Sequence, residues 1–211
     1  MLLGRNLLQY RLLAQSIKEF GQVADEAIVI DHLSGLNVID GLETEVAYPL
    51  SWVGRSLRLV QQKRWKYVFM GSMGPGRDCI LRAYESRADT FIDVTRHQLH
   101  PLLKGRFDKR YWEKLHQSEF TLCPGRTDWP GAKDRAWTYR FIEAALSFSI
   151  PITFAQTPLG AKFTEGFTFF DAEDFSRHHW DSDAAIHNFH LAVSRHVLGT
   201  GLLHTILRRV D

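Results

Sequence analysis

Thr138, Arg140 and Glu143 are the residues whose types and spacing most readily do chemistry. Ala136 to Ser149 carries Phe141, Ala144, Ala145 and Phe148 at helical spacing, so the stretch reads as a helix. Arg140 and Glu143, three apart, then share a face. Thr138 and Arg140 fall near the first turn, at the positive end of the helix dipole. A hydroxyl, a guanidinium and exposed backbone N–H groups together suit a phosphate. Glu143, one turn further on, is placed to accept hydrogen bonds from a ribose. Spacing alone favours a plainer account, an Arg140–Glu143 ion pair on a solvated helix face.

The elements around this helix must position it. Phe120, Leu122 and Cys123 form a short apolar run that Pro124-Gly125 ends. Residues 126–135 are rich in Gly, Pro and charge and read as a loop. Ile150-Pro151-Ile152-Thr153-Phe154 is a second strand, with its proline near the start. Upstream, Tyr67-Val68-Phe69-Met70 enters the loop 71–76, and Arg77 to Ser86 continues as a helix. Strand, glycine loop, helix is the layout in which backbone N–H groups approach phosphate oxygens, which makes Gly71 and Ser72 candidates for such contacts. The glycine spacing matches neither the dinucleotide fingerprint nor a P-loop, and a plain strand-to-helix turn explains it as well. Thr90 to Val94 is a further strand and Arg110 to His116 a further helix. The alternation predicts a doubly wound, Rossmann-like parallel α/β sheet with helices on both faces, in which 118–123 and 150–154 are interior strands.

The order Phe120-x-Leu122-Cys123-Pro124-Gly125, a polar loop, Thr138-x-Arg140-x-x-Glu143-Ala144, then Ile150-Pro151-Ile152 resembles the exostosin-like glycosyltransferases. Their pattern is F-x-L-C-P-x-G, then S-x-R-x-x-E-A, then a Gly-Cys-(Ile/Val)-Pro-Val strand. Phe69-x-Gly71 followed by Arg77 is similar to a second segment of that pattern. The resemblance implies the donor half of a GT-B enzyme, with a C-terminal-domain-like fold. Arg140 and Arg77 would face the diphosphate of a nucleotide sugar such as a UDP-sugar, and Glu143 its ribose. Thr138 stands where the pattern has serine, and Phe148-Ser149 where it has Gly-Cys.

Composition sets outer bounds. The chain has 211 residues, ordinary apolar and charged fractions and a net charge of +2, with both signs interspersed, so bulk nucleic-acid binding finds no support. Cys79 and Cys123 are its only cysteines and form no CxxC motif, which points to a reducing compartment. Residues 1–20 open apolar but are broken by Arg5, Arg11 and Lys18, so they read neither as a membrane span nor as a signal peptide. A cytoplasmic location is therefore expected.

Leu3, Leu7, Tyr10, Leu13, Ile17 and Phe20 form a helical stripe, Ala27 to Asp31 a strand, and Ser34-Gly35 a turn. Gly41 to Ser56 reads as irregular, with Tyr48-Pro49-Leu50 an extended crossing segment. The resemblance to the exostosin-like enzymes implies that residues 1–45 are a remnant of an acceptor half, and residues 46–211 the nucleotide-sugar-binding domain. In the tail, Ile186, Phe189, Val193 and Val197 suggest the buried stripe of a helix, and Leu202 to Val210 a last short one. His178, His179, His187 and His190 with Asp181 and Asp183 raise a metal site, but Asp181-Ser182-Asp183 reads as a helix cap and no metal is expected.

The leading expectation is metal-free, inverting hexosyl or pentosyl transfer to a glycan or other hydroxyl acceptor, with no bound cofactor. Asp31, His32 and Asp93, near strand ends, are the bases considered, and none is assigned. A non-catalytic nucleotide-sugar module, or one half of a split transferase completed by a second domain or chain, is the alternative. A flavodoxin-like interaction domain without a donor site is the third.

Overall fold

The computed structural model describes residues 28–31, 36–39, 42–45, 48–72, 77–95, 107–124, 138–154 and 164–197. In chain order the elements are β1 (Ile28–Asp31), β2 (Leu36–Ile39), β3 (Leu42–Glu45), α1 (Leu50–Leu57), β4 (Trp65–Ser72), α2 (Arg77–Glu85) and β5 (Thr90–Thr95). There follow α3 (Lys109–His116), β6 (Ser118–Leu122), α4 (Tyr139–Ala145), β7 (Ile150–Thr153), β8 (Phe170–Asp171), a 3₁₀ turn (Phe175–Arg177) and α5 (Ser182–His196). The helical stripe expected at 3–20 and the last helix expected at 202–210 lie outside the described residues.

β1, β2 and β3 form an antiparallel three-stranded sheet. The five remaining strands form a second sheet in the order β5-β4-β6-β7-β8, every neighbouring pair parallel. Counted within the sheet that order is 2-1-3-4-5, a doubly wound topology whose strand order reverses between β4 and β6. Both strands expected to be interior are interior. β7 tolerates Pro151 opposite Thr121 within that ladder.

Alternation along β4 explains the two layers of packing. Val68 and Met70 join Trp52, Val53, Tyr111, Trp112, Leu115, Phe141 and Ile142 in one apolar cluster, so α1, α3 and α4 cover that face. Tyr67 and Phe69 join Leu81 and Tyr84 of α2, with Phe120, Leu122, Ile150 and Ile152, on the other. Successive strand residues point to opposite faces, so a strand buried on both must be apolar throughout. Each fully buried large side chain here is worth about 1.5–3 kcal/mol.

Three sequence expectations need correction. The stretch 41–56 is not irregular, since it contains β3 and α1. Pro49 stands at the N-cap of α1, and Trp52, Val53 and Ser56 form its buried face. Gly54 and β-branched Val53 lower the helical signal there, and burial against α3 overrides it. The buried face of α5 is Ala185, Asn188, Ala192 and His196, while Ile186 is 45% exposed. Small residues permit close packing, and the Asn188 amide is satisfied by Thr168, accepting from its N at 2.8 Å and donating to its O at 2.7 Å. Finally, α4 stops at Ala145 instead of continuing to Ser149.

The end of α4 has a clear cause. Phe148 sits at φ +54°, Ser149 N donates to Ala144 O at 3.0 Å, and Phe148 N donates to Ala145 O at 3.2 Å. That is a Schellman closure with a left-handed residue, a place glycine takes without steric cost. Lys63 secures the same region: its Nζ donates to Phe148 O at 2.7 Å and to His116 O, at the end of α3, at 3.1 Å. An ammonium against two helix carboxyl ends is favourably placed in both dipoles.

Candidate functional site: a buried arginine at the strand-order reversal

In open α/β sheets, ligands bind outside the carboxyl ends of the strands where strand order reverses. Here that point is the end of β4 beside the end of β6. β4 closes there with Gly71 and Ser72, α2 begins with Arg77, and α4 begins after Thr138.

Arg140 occupies this point. It belongs to the helix covering the Met70 face, yet its guanidinium reaches past the strand to the Phe69 side, with Cζ 4.5 Å from the Phe69 ring centroid. Nη2 donates to Met70 O at 2.9 Å. The residue is 9% exposed, and Nε and Nη1 are buried without a hydrogen-bond partner among the described residues. A buried guanidinium normally finds partners for its five N–H groups, because each one left unmade forfeits its hydration. Two buried guanidinium donors without a partner among the described residues are donors that an anion could satisfy.

Gly71 is what lets the guanidinium lie there. A Cβ on Gly71 would fall 2.4 Å from Arg140 Nη2 and 3.4 Å from Cζ. The sequence suggests Gly71 as a phosphate-cradling glycine; in the structure it admits the arginine to the strand end. Ser72 is the last residue of β4, in register with Thr95. Arg77 is buried at the first position of α2.

Thr138 is the N-cap of α4. Its Oγ1 accepts from Arg140 N at 3.3 Å, and its carbonyl accepts from Phe141 N at 2.9 Å. Two of the first amides of this seven-residue helix, those of Arg140 and Phe141, are therefore satisfied by Thr138.

Glu143 lies deeper and is 2% exposed. Its Oε2 accepts from Tyr111 Oη at 2.5 Å and its Oε1 from Tyr48 Oη at 3.2 Å. It thus takes no part in an ion pair on a solvated face. Each of its oxygens already accepts from a tyrosine in a buried setting. Burial pushes the carboxyl above the usual carboxylate range, opposed by the Tyr111 hydrogen bond, the Arg140 charge and the Tyr48 hydrogen bond. Burial first, and then the Glu143 charge, holds the Tyr48 and Tyr111 hydroxyls well above their ordinary range, so both stay donors.

Tyr48 and Tyr111 are the residues that sequence reasoning misses. Tyr48 comes from the expected crossing segment, of which Tyr48 and Pro49 are extended while Leu50 already begins α1. It bridges to Val197 in parallel fashion, and its N donates to His196 O at 2.6 Å. Tyr111 comes from α3, whose N-cap Asp108 accepts from Tyr111 N at 3.2 Å. No local pattern links either tyrosine to Glu143. Beside them Cys123 is a buried free thiol donating to Thr121 O at 3.3 Å, pushed up to about 12 by burial.

The other candidates fall elsewhere. Asp93 on β5 accepts from Arg110 Nη2 at 2.7 Å in an ion pair. Asp31 ends β1, and His32 lies outside the described residues. Asp181 caps α5, accepting from Asp183 N at 3.1 Å and Ala184 N at 3.3 Å. His178 is buried between Tyr67 Oη, 2.9 Å from its Nδ1, and Asp171 O, 2.7 Å from its Nε2. His187 Nε2 lies 3.0 Å from Gly166 O. Among the described residues no group of three or more His, Cys, Asp or Glu could hold a metal ion. Among them, too, no helix is long and apolar enough to cross a membrane.

No protein-family model matches the chain, and no curated protein matches it significantly. The fold and site define an α/β protein with a doubly wound parallel sheet and a buried arginine at its switch point.

Proposed function

We propose that the chain binds the diphosphate of a nucleotide sugar, UDP-linked, at Arg140, and that it is a GT-B-type inverting glycosyltransferase or the donor half of one. One observation carries this reading: Arg140 Nε and Nη1 are buried at the carboxyl end of β4 and unpartnered among the described residues. The resemblance to the exostosin-like pattern agrees with it, since Arg140 is the arginine of that pattern. Phe148 agrees too, because its left-handed backbone stands where the pattern has glycine.

In such a transfer, negative charge builds on the departing diphosphate as the glycosidic bond breaks. A preoriented guanidinium in a water-poor site stabilises that charge without reorganising. Arg77, at the start of α2 on the same edge, is the second cation in this proposal. Glu143 is assigned a supporting part behind Arg140, which the expectation of a ribose contact did not include. The acceptor is a glycan or another hydroxyl compound held by a second domain or chain.

The same site serves a non-catalytic nucleotide-sugar module, and the Asp93–Arg110 ion pair favours that second reading, because it occupies a carboxylate considered as a base. A thermal-shift screen with UDP-, GDP- and dTDP-sugars tests the shared part, since a ligand of the native state raises its melting temperature. Stabilisation by one nucleotide class is expected; no shift with any would overturn both readings. Sugar release or transfer by the binding-competent chain then separates enzyme from module.

A further inference from the structure

Arg140 and Glu143 are one helical turn apart, both buried, and not bonded to each other. The Arg140 guanidinium supplies the positive charge facing Glu143. Among the described residues, the other titratable groups facing it are Tyr48 from the crossing segment, Tyr111 from α3, Tyr139 from α4 and Cys123 after β6. Burial, the first cause for each, holds all four in their neutral forms. Glu143 is therefore the facing group able to change charge when an anion arrives.

The hydrogen bonds around Glu143 already accommodate both of its protonation states. As a carboxylate it accepts from Tyr111 and Tyr48. Tyr48 Oη also lies 3.3 Å from Tyr139 O, a second acceptor within reach of the same hydroxyl. With Glu143 protonated, Oε1–H donates to Tyr48 Oη, the Tyr48 hydroxyl turns to Tyr139 O, and Tyr111 continues to donate to Oε2. No donor or acceptor is left unmade in either state, so the site holds a proton without orphaning a buried group.

We propose that anion binding at Arg140 is coupled to uptake of one proton from solvent onto Glu143. The inference rests on the anion-site reading above. An incoming anion places a second negative charge beside the guanidinium that Glu143 faces. A like charge brought near disfavours the ionised carboxyl, and protonation removes the conflict. Glu143 is thus a positioning residue that keeps the guanidinium available: it compensates Arg140 in the empty site and yields its charge when a ligand takes over that role. Anion affinity consequently falls as pH rises.

The test is calorimetric titration of the full chain with sodium sulfate, whose dianion carries no proton to exchange near neutrality. Heats measured from pH 5 to 8 in buffers of unlike ionisation enthalpy give the protons bound per anion. Uptake approaching one proton is expected within that range, with affinity dropping up to about tenfold per pH unit where uptake is largest. Binding accompanied by less than about a tenth of a proton at every pH would overturn the coupling while leaving the anion site intact. No binding of either sulfate or UDP would overturn the site and the coupling together. Glu143→Gln should bind sulfate with no proton uptake and no pH dependence; uptake retained in this variant would overturn the assignment to Glu143. The wild-type titration decides the coupling even if that variant does not fold.

Discussion

Replacing Gly71 by alanine separates the anion site from the stability of the fold. The new Cβ would lie 2.4 Å from Arg140 Nη2, about 1 Å closer than an ordinary contact. Gly71 has no left-handed backbone to forbid the substitution. The cost therefore falls on the guanidinium, the far end of a flexible side chain. It must swing by roughly 1 Å, which the 2.9 Å bond from Nη2 to Met70 O does not survive. A charge-assisted bond of this kind is worth about 1.5–3 kcal/mol. The smaller entropy of the unfolded alanine chain offsets about 0.4–1 kcal/mol of that. Net destabilisation should be on the order of 1–2 kcal/mol, a loss the fold can carry. Binding should suffer more, because a donor misplaced by about 1 Å can lose a hundredfold. The assay is paired: urea denaturation for stability and calorimetry with UDP for affinity. A G71A protein that is folded and binds UDP as tightly as the wild type would refute the claim that Arg140 is held at this strand end to meet an anion.

Three further outcomes follow from the same geometry. Phe148→Gly and Phe148→Ala both lose the stacked contact with Phe189 at 4.4 Å, but only alanine keeps the cost of φ +54°. The glycine variant should be the more stable by about 1 kcal/mol in denaturant melts, and equal stabilities would remove the left-handed closure of α4. His116 is buried with Nε2 2.6 Å from Ser56 Oγ, and burial followed by the Lys63 charge lowers its pKa to about 4. Its folded value lies below its unfolded one, so the folded state binds fewer protons between pH 6.5 and 4. Stability should then be lost as pH falls through that window, by roughly 3 kcal/mol in all. His116→Gln should lose less stability than wild type between pH 7 and 4.5, and parallel losses would contradict the assignment. Tyr111→Phe leaves Glu143 Oε2 buried without its 2.5 Å donor and should cost about 1–3 kcal/mol; an unchanged melting temperature would show that the bond is not made.

The sheet was legible because burial on both faces demands what 67–70, 120–123 and 150–154 largely display, runs of apolar and β-branched residues. β2, β3 and β8 were not. Leu42–Glu45 carries two glutamates, and Phe170–Asp171 is a strand of two residues defined only by its neighbour β7. The stripe of α5 was misread because alanines and a hydrogen-bonded asparagine pack inward where Ile186 was expected to. At the site, Arg140 and Gly71 were visible as residue types. Their mutual contact was not, since it joins a strand end to a helix about seventy residues later. The surroundings of Glu143 were hidden for a similar reason. Its tyrosine partners come from two distant elements, and spacing along one helix cannot reveal what another element supplies.

The central claim is that Arg140 holds the phosphates of a nucleotide. Its most direct measurement is calorimetric titration of UDP and of uridine into wild type and Arg140→Gln, each with a chelator present. Each lost charge-assisted bond is worth about tenfold or more in affinity. The account predicts that UDP binds wild type with the chelator present, and that Arg140→Gln weakens UDP about tenfold to a hundredfold while leaving uridine unchanged. Equal affinity of UDP for the two proteins, with the variant folded, would contradict it.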